Sequence, residues 1–475
     1  MNILQLTAEA TPLAKVGGLA DVVGELPRSL FSLGLDIHVM MPLHPTIDRH
    51  KLDMAPVGEV PVPRGDRFLR AELYRAEVRG VPFLLIDGEP VRAGEHVYNQ
   101  PEIDAEKYTF FSSAALMAAV ELDIVPDILH AHDWHSSPAL LKLHTIRNQD
   151  SLWKGVRSLL TIHNMPYFGP DCRSVFPAYG IDALQGWPVP EWAGWLALPQ
   201  AIAHADWLST VSPTYAEEIL TTEYAAGLDD LIRSRQERIV GILNAIDFDI
   251  WNPATDEDVP TPFSRLHLKK RLENKRQLQD EMGLPPSDAP LLIMITRIDY
   301  QKGIDLALHA MAQLLNRDWQ CILLGIGTPE LEAQVRGFGD EHPDRVRVVQ
   351  EFRPTLSHRM YAGADMILMP SRYEPCGLAQ MIGMRYGTVP IARATGGLKD
   401  TIVDHTSTGE GNGFLFKEPE ANACAQAILH ALDTYDRPEE WKAVRVRGMA
   451  HDFSWKRAAH QYADLYRRIV GASRS

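Results

Sequence analysis

The first 41 residues of the chain read MNILQLTAEATPLAKVGGLADVVGELPRSLFSLGLDIHVMM, and they predict a strand, a helix and a second strand. Residues 3–7 form a short apolar run of the kind that builds a buried strand. Between Leu19 and Leu33 the apolar residues recur at spacings of three and four, which is typical of an amphipathic helix, and Gly34 suits its C-terminal cap. Residues 37–41 form the next apolar run, so the chain opens with a βαβ unit.

The same alternation of strand and helix continues through two halves of the chain. In the first half, further strands are predicted at residues 128–130, 158–162, 207–210 and 240–243. Residues 138–146 have a helical pattern, whereas residues 57–87 hold two β-rich runs that meet at Arg79-Gly80 and predict a hairpin at the sheet edge. In the second half, strands are predicted at residues 291–296, 320–324, 346–350, 366–369, 389–392 and 413–416.

Three prolines and several acidic residues interrupt this alternation at residues 247–263, which we interpret as a linker or hinge. Short apolar strands between helices indicate parallel sheets covered on both faces. The sequence therefore predicts an α/β protein of two Rossmann-like domains, over residues 1–246 and 264–453, whose sheets face each other across a cleft. Residues 454–475 predict a last helix, and its periodicity leaves open which domain it packs on.

The composition restricts the class of protein. The chain has 475 residues, with 47 Lys and Arg against 62 Asp and Glu, and a net charge of −15, which argues against a nucleic-acid partner. The four cysteines form no CxxC pair, which favours a reduced, cytoplasmic protein and provides no zinc framework. The N-terminus lacks a basic leader, and no apolar run approaches the roughly 18–20 residues that span a bilayer, so we expect no membrane partner.

A lysine and two glycines follow the first predicted strand, at the start of its helix, as Lys15-Val16-Gly17-Gly18. Backbone N–H groups at a helix N-terminus attract an anion, glycines allow it to approach closely, and a lysine adds positive charge. The pattern therefore favours phosphate binding, with a flexible turn and a solvated lysine as the alternative. The loop is neither a P-loop nor a G-x-G-x-x-G dinucleotide motif.

Histidines and an aspartate follow two later strands of the first half. The sequence HAHDWH occupies residues 130–135 and includes Asp133, and His163 follows the next strand. The spacing is not HExxH and no second cluster supplies ligands, so we prefer a polar sugar site to a metal site. His163 is well placed to hydrogen-bond a substrate hydroxyl, and a purely structural histidine is the alternative.

In the second half, two cations and a carboxylate follow predicted strands. Arg297 and Lys302 flank a turn before a helix, where they can neutralise a leaving diphosphate, and a pair of surface cations is the alternative. Glu374 follows a later strand, where a carboxylate can hydrogen-bond sugar hydroxyls or stabilise a positively charged transition state.

A cysteine and a second pair of glycines complete the candidate site of the second half. Cys376 has no nearby His or Asp partner, so we interpret it as a pocket residue rather than a nucleophile. Gly396 and Gly397 lie at a helix start and suit a phosphate or a ribose edge.

Together, these motifs resemble those of the bacterial glycogen synthases and plant starch synthases in order and spacing, from residue 1 to about residue 470. The matching segments are Lys15-Val16-Gly17-Gly18-Leu19, His132-Asp133-Trp134-His135, Thr161-Ile162-His163-Asn164, Asn244-Ala245-Ile246-Asp247, residues 297–303, Glu374-Pro375-Cys376-Gly377-Leu378 and Thr395-Gly396-Gly397-Leu398. The resemblance implies the GT-B fold and transfer of glucose from ADP-glucose to the non-reducing end of an α-1,4-glucan such as glycogen, with retention of configuration. It also implies that the helix at 454–475 crosses back to the first domain and that no metal or other cofactor takes part.

The resemblance further implies a role for each matching residue. The expected catalytic set is Asp133 and His163 near the transferred sugar, Glu374 on the glucosyl side, and Arg297 and Lys302 on the leaving diphosphate. The expected substrate-binding set is Lys15, Gly17, Gly18, Asn244, Cys376, Gly377, Gly396 and Gly397.

Two positions depart from the family pattern. Ala245 replaces the glycine of an Asn-Gly-Ile-Asp motif and would strain the turn if this residue had a positive φ. Ile382 stands eight positions after Glu374, where related glycosyltransferases often carry a second glutamate, so no carboxylate is offered there to a ribose.

Other functions stay open at the level of sequence. A related GT-B enzyme that uses UDP-glucose or another acceptor is one alternative, and a silent glucan-binding protein is another. The intact set of Lys15, Arg297, Lys302 and Glu374 argues against the silent protein. A phosphorylase is less favoured, because the chain is far shorter and shows no signature for a lysine-bound pyridoxal cofactor. The sequence makes no prediction of the oligomeric state.

Overall fold

The chain is organised as two α/β units in the computed structural model, which describes residues 1–351 and 353–471. Unit 1 contains Met1–Asn244 together with the chain from Trp455 onward, and unit 2 contains Ala245–Ser454. The division falls close to residue 246, where the first domain was predicted to end. Within the described residues, none of the helices is both long and apolar enough to cross a bilayer.

A sheet with mixed strand directions forms the centre of unit 1. Its strands are β1 (Asn2–Leu6), β2 (Asp36–Pro42), β3 (Met54–Arg64), β4 (Arg67–Val78), β5 (Val81–Gly88), β6 (Ile128–His132), β7 (Arg157–Ile162), β8 (Trp207–Thr210) and β9 (Ile239–Gly241). Over the described residues, the order across the sheet is β3-β4-β5-β2-β1-β6-β7-β8-β9. β4 pairs antiparallel with β3 and β5, and the other neighbours are parallel.

The predicted hairpin is confirmed, because β4 and β5 turn at Arg79-Gly80 and β5 joins the sheet beside β2. The prediction of a single run before that turn was wrong, since β3 and β4 are separate strands. β3 carries Pro56, Pro61 and Pro63 and lies at the sheet edge. Prolines are tolerated there because an edge strand has one side without ladder hydrogen bonds.

The helices of unit 1 before residue 245 are α1 (Gly18–Ser32), α2 (Glu89–Arg92), α3 (Pro101–Glu121), α4 (Asp133–Arg147), α5 (Ala197–His204), α6 (Pro213–Glu218) and α7 (Asp229–Ser234). Short 3₁₀ turns lie at Phe176–Tyr179, Glu191–Ala193 and Gln236–Arg238. α1 matches its prediction, and Gly34 follows it with a φ of +81°, as a helix-ending glycine does. α4 begins five residues before its predicted start. The prediction failed because Pro138, which suits a first turn, lies inside this helix.

Unit 2 is built on a parallel sheet. Its strands are β10 (Leu291–Ile295), β11 (Gln320–Leu324), β12 (Val346–Val349), β13 (Met366–Met369), β14 (Val389–Arg393) and β15 (Phe414–Phe416). Their order is β12-β11-β10-β13-β14-β15, and every pair of neighbours is parallel. This arrangement confirms the predicted Rossmann-like second domain.

Helices cover the sheet of unit 2. They are α8 (Arg271–Glu281), α9 (Ile304–Ala312), α10 (Pro329–Glu341), α11 (Pro354–Gly363), α12 (Ala379–Arg385), α13 (Gly396–Thr401), α14 (His405–Thr408), α15 (Ala421–Tyr435) and α16 (Pro438–Ala450), with a 3₁₀ turn at Leu268–Lys270. The core between sheet and helices includes Met294, Ile304, Trp319 and Ile428, all buried. Burial of such side chains is the main favourable term in folding.

The segment 247–263, predicted as a linker, lies within unit 2 and packs against it. Trp251 stacks on His358 with ring centroids 4.2 Å apart, and Asp256 accepts a 2.7 Å hydrogen bond from Nδ1 of the same histidine. Ala245 does not have a positive φ, so the strain that its replacement of glycine would cause is absent. The last helix, α17 (Trp455–Gly471), belongs to unit 1, where Tyr466 contacts His130.

Candidate active site

Unit 2 carries a charged pair beyond the carboxyl ends of two neighbouring strands, β10 and β13. Nζ of Lys302 lies 2.8 Å from Oε1 and 2.7 Å from Oε2 of Glu374. The exposed fractions of the two side chains are 17% and 6%, so the pair is largely removed from solvent. Salt therefore screens this pair less than it screens a surface pair, and removal of one partner would leave the other charge buried and uncompensated.

Neighbouring polar groups hold the pair in place. Ser371 donates from Oγ to Oε2 of Glu374 at 2.9 Å, and the backbone N–H of Lys302 donates to Oδ1 of Asp299 at 3.0 Å. A cavity of about 70 Å³ is lined by Thr296, Ser371 and the pair itself, among others. The ammonium and the carboxylate therefore border a space that a small polar group can enter.

Arg297 lies on the same turn and is half exposed, at 52% of its side chain. Its Nη1 lies 3.1 Å from Oδ2 of Asp299, and its Nη2 donates to Oε1 of Gln301 at 3.0 Å. Gln301 in turn donates from Nε2 to the carbonyl of Tyr373 at 3.3 Å. These contacts connect the turn that carries both cations to the loop that carries Glu374.

The glycine pair at α13 allows close approach of that same loop. A Cβ added at Gly396, where φ is +44°, would lie 2.0 Å from the carbonyl oxygen of Glu374. A Cβ added at Gly397 would lie 2.1 Å from the carbonyl oxygen of Cys376. The N–H of Gly397 also donates to the carbonyl of Glu374 at 3.2 Å. Only glycine fits here, because the two backbones are in contact.

Cys376 and Gly377 lie in the same loop. Cys376 is buried, and its carbonyl accepts a 3.1 Å hydrogen bond from Nε2 of Gln380. Gly377 has a φ of +71° and borders the cavity described above. The structure thus brings together all the residues of unit 2 that the sequence predicts for the site. Ile382, in contrast, is buried on α12.

In unit 1, the Lys15 loop lies where the sequence predicts it, with Gly17 capping α1 and Gly18 as the first helical residue. Lys15 is 45% exposed, and its Nζ lies 2.7 Å from Oδ1 of Asp21. The backbone N–H groups of Val16 and Gly17 donate to Oε2 of Glu9 at 2.5 and 3.0 Å. A carboxylate of the chain itself therefore occupies donors that the sequence predicts for an anion.

Glu9 is a residue of the site that sequence reasoning missed. It is buried, follows β1 and accepts a 2.7 Å hydrogen bond from the hydroxyl of Tyr98 at its Oε1. Tyr98 stacks on His135 with ring centroids 4.9 Å apart. The signal in the sequence was an acid three residues after the first strand, but its partners lie further along the chain.

Asp133 and His163, both predicted for the site, are in direct contact. β6 and β7 pair His132 with Thr161, so the residues after these strands lie side by side. The N–H of His163 donates to Oδ1 of Asp133 at 2.7 Å. Asp133 has a φ of +53°, an uncommon conformation for a residue with a side chain.

The electrostatics of this pair follow from burial. Burial raises the pKa of Asp133 to about 7, although the backbone N–H groups of His163 and Asn164 oppose that rise. Burial also lowers the pKa of His163 to about 3, so this imidazole is neutral at pH 7. Nε2 of His163 lies 3.0 Å from Nδ1 of His132. This part of the site thus offers a neutral imidazole beside a carboxyl group that is about half protonated at pH 7.

Asn244 is the last residue of the first segment of unit 1. Its N–H donates to the carbonyl of Val211 at 3.1 Å, and the residue is buried. Its side-chain oxygen Oδ1 is buried with no hydrogen-bond partner among the described residues. An acceptor of this kind suits a ligand N–H or O–H group.

Within residues 1–351 and 353–471, one group of side chains has the geometry of a metal site, and it contains none of the candidate site residues described above. Asp256, Asp258 and His358 have ligand atoms within 4.8 Å of one another. Asp256 already accepts hydrogen bonds from His358, from the hydroxyl of Tyr386 and from the N–H of Asp258. These contacts account for the cluster without a cation.

Comparison with known proteins decides the family. Residues 2–234 match the family described as "Starch synthase catalytic domain", and residues 275–444 match "Glycosyl transferases group 1". A glycogen synthase of Syntrophotalea carbinolica is 38% identical over 481 residues, which cover 99% of each chain. A glycogen synthase of an Anaeromyxobacter species is 40% identical over 490 residues, which cover 99% of this chain and 100% of the other. The chain belongs to the glycogen and starch synthase family.

Solved structures agree with membership of the glycogen and starch synthase family. The catalytic domain of starch synthase IV from Arabidopsis thaliana, solved with ADP and acarbose bound, has a TM-score of 0.91 and 31% identity, with 99% of both chains covered. Sucrose-phosphate synthase from Thermosynechococcus elongatus, at 20% identity and a TM-score of 0.64, shares the fold. The chain is thus a glycosyltransferase with the GT-B fold, as the sequence predicts.

Proposed function

We propose that this chain is a glycogen synthase that transfers glucose from ADP-glucose to the non-reducing end of an α-1,4-glucan, with retention of configuration. The observation that carries the proposal is the buried Lys302–Glu374 pair beyond the strands of unit 2, with Arg297 on the same turn. Full-length similarity to glycogen synthases and to a starch synthase that binds ADP supports the donor and the acceptor.

In this proposal, the cations of unit 2 bind the diphosphate of the donor. The C1–O bond of the glucosyl unit breaks, and its electron pair leaves with the terminal phosphate oxygen of ADP. Lys302 and Arg297 then stabilise the negative charge that develops on that oxygen. Because the diphosphate competes with Glu374 for the ammonium of Lys302, binding frees the carboxylate for the hydroxyls of the glucosyl unit.

The polar groups of unit 1 bind the sugar in the same proposal. His163 hydrogen-bonds a glucosyl hydroxyl, and Asp133 orients His163 through its backbone N–H. Lys15, Gly17 and Gly18 contribute to donor binding from the start of α1. The 4-hydroxyl of the acceptor forms the new C1–O bond, and its proton passes to the departing ADP.

Assay of glucose incorporation into glycogen tests this function, with ADP-glucose and UDP-glucose supplied in parallel. We expect transfer from ADP-glucose, release of one ADP per glucose, and an α-linked product by ¹H NMR. Preference for UDP-glucose would contradict the donor assignment. Glycogen binding without transfer from either donor would contradict the enzymatic function and indicate a glucan-binding protein. We further propose that the reaction takes place in the cytoplasm, as the cysteine pattern indicates.

A further inference from the structure

The histidine cluster of unit 1 contains two rings with different surroundings. His130 has a partner at each ring nitrogen, with Nδ1 at 2.8 Å from the hydroxyl of Tyr466 and Nε2 at 2.7 Å from Oγ1 of Thr161. His132 lies beside it, with ring centroids 4.2 Å apart. Nδ1 of His132 is 3.0 Å from Nε2 of His163. Both ring nitrogens of His130 therefore have hydrogen-bond partners, whereas the partner of Nδ1 of His132 is His163.

The second ring nitrogen of His132 decides where the protons lie. This Nε2 is buried and has no hydrogen-bond partner in the described part of the chain. Burial lowers the pKa of His132 and of His163, so both rings are neutral near pH 7 and each carries a single N–H. The hydrogen bond between them therefore has two possible directions.

The two directions differ in what they leave buried. If His132 donates from Nδ1, its Nε2 is a bare lone pair. If His163 donates from Nε2, His132 must carry its proton on Nε2, as a buried N–H without an acceptor. Buried N–H groups without partners are rarer in proteins than under-satisfied acceptors. Donation from His132 to His163 is thus the favoured direction.

We propose that His132 is a positioning residue that holds His163 in the tautomer protonated at Nδ1. The half-buried ring of His163 then presents an N–H donor, not a lone pair, to an oxygen acceptor of the sugar-hydroxyl class. The chemical class of the acceptor rests on the proposed function, whereas the tautomer does not. The other ring nitrogen sets the tautomer of a histidine in this way wherever it makes a fixed hydrogen bond.

Long-range ¹H–¹⁵N correlation spectra of protein labelled with ¹⁵N-histidine test the tautomer in the absence of any substrate. Signals of His163 are identified by their loss in His163→Asn. We expect the wild-type ring to show a protonated Nδ1 and a bare Nε2. A wild-type His163 protonated at Nε2 would overturn the proposal, whatever the behaviour of the variants.

Two substitutions test the role of His132. In His132→Asn, the side-chain amide can still donate from the position of Nδ1, so we expect the tautomer of His163 to persist and kcat to fall only a few-fold. In His132→Leu, the donor is lost, and we expect a mixture of tautomers and a fall in kcat of about 10- to 100-fold, with a smaller change in KM for the donor. An unchanged tautomer or kcat in His132→Leu would contradict the positioning role.

His130→Asn serves as the matched control, because His130 is as deeply buried as His132 but does not contact His163 through a hydrogen bond. We expect this variant to lose stability while the tautomer of His163 is retained. A similar loss of the tautomer in His130→Asn would indicate general disturbance of the core and overturn the specific assignment. If the wild-type enzyme transferred no glucose, the proposed function would fail while the spectra still decided the tautomer.

Discussion

The two units place different kinds of chemistry beyond the carboxyl ends of neighbouring parallel strands. Beyond β10 and β13 in unit 2, Lys302 and Glu374 form a buried charged pair. Beyond β6 and β7 in unit 1, the buried Asp133 accepts a hydrogen bond from the half-buried His163, and burial raises the pKa of Asp133 and lowers that of His163.

The difference shows how burial acts on a site with and without an opposite charge. In unit 2, each ion has a counter-ion within 2.8 Å, whose attraction offsets part of the cost of burying the two groups. In unit 1, no cation contacts Asp133 directly in the described hydrogen bonds, so desolvation dominates its pKa. The charged pair suits a diphosphate, and the neutral imidazole of His163 suits sugar hydroxyls.

The largest effect is expected from removal of the charged pair. Lys302→Ala and Glu374→Ala should each lower kcat by about 100- to 1,000-fold, because a charge that stabilises the transition state is lost and its partner is left uncompensated. Steady-state kinetics with ADP-glucose measure the change. Lys269→Ala, an exposed lysine of the same unit, is the control and should have normal kinetics. Near-normal kcat in both site variants would contradict a catalytic role for the charged pair of unit 2.

A smaller but still large effect is expected at the glycine turn behind Glu374. Gly396→Ala should lower the free energy of unfolding by about 2–3 kcal/mol, because its Cβ would collide with the carbonyl of Glu374 and its φ is positive. Urea denaturation measures this loss. Gly337→Ala in α10 is the matched control, since nothing lies within 4 Å of its added Cβ, and it should stabilise by about 0.5–1 kcal/mol. Equal stability of the two variants would refute the close approach.

The protonation of Asp133 provides a test of the Asp133–His163 pair. Its folded pKa of about 7 lies above its unfolded value of about 3.9, so its contribution to stability is complete below about pH 4 and is lost as the pH rises to about 7. Asp133→Asn keeps an acceptor for the N–H of His163 and tolerates positive φ. Urea denaturation should show the variant more stable than wild type near pH 8, with the gap closing near pH 4. A gap that does not depend on pH would mean that Asp133 is not the titrating group.

The smallest effect is expected from the exposed lysine of unit 1. Lys15→Ala should raise KM for ADP-glucose by about five- to tenfold and change kcat less, because a half-exposed charge paired with Asp21 contributes only about 1 kcal/mol. The difference from wild type should shrink at high salt. Lys51→Ala, which removes an exposed lysine paired with Asp48, should leave KM unchanged. A loss in kcat as large as that of Lys302→Ala would mean that Lys15 and Lys302 contribute equally to catalysis, which would contradict the difference proposed between the two units.

Much of the fold was predictable because parallel strands in α/β units are short, apolar and separated by helices. The strand predictions at 320–324 and 366–369 coincide with β11 and β13. The failures have local reasons, as at Pro138, which lies inside α4 although proline usually marks a first turn. Strain at Ala245 was predicted only for a positive φ, and the backbone there does not have one.

For the candidate site, the sequence indicated which residues follow the strands but not which contacts they make. The rule that ligands bind beyond the carboxyl ends of parallel strands indicated Lys302, Glu374, Asp133 and His163. The same rule could not show that Glu9 would take the backbone N–H groups of Val16 and Gly17. An acid after a strand has many possible partners, and local sequence does not choose among them.

The sequence by itself determined the two α/β halves and the residues offered at the ends of their strands, because hydrophobic periodicity and glycine positions are local properties. Only the tertiary structure decided which of these residues meet. Lys302 and Glu374 are 72 positions apart in the chain, and His132 and His163 are 31 apart, yet each pair is in contact. Burial and pKa follow from those contacts, since desolvation and counter-charges depend on distance in space, not on distance along the chain.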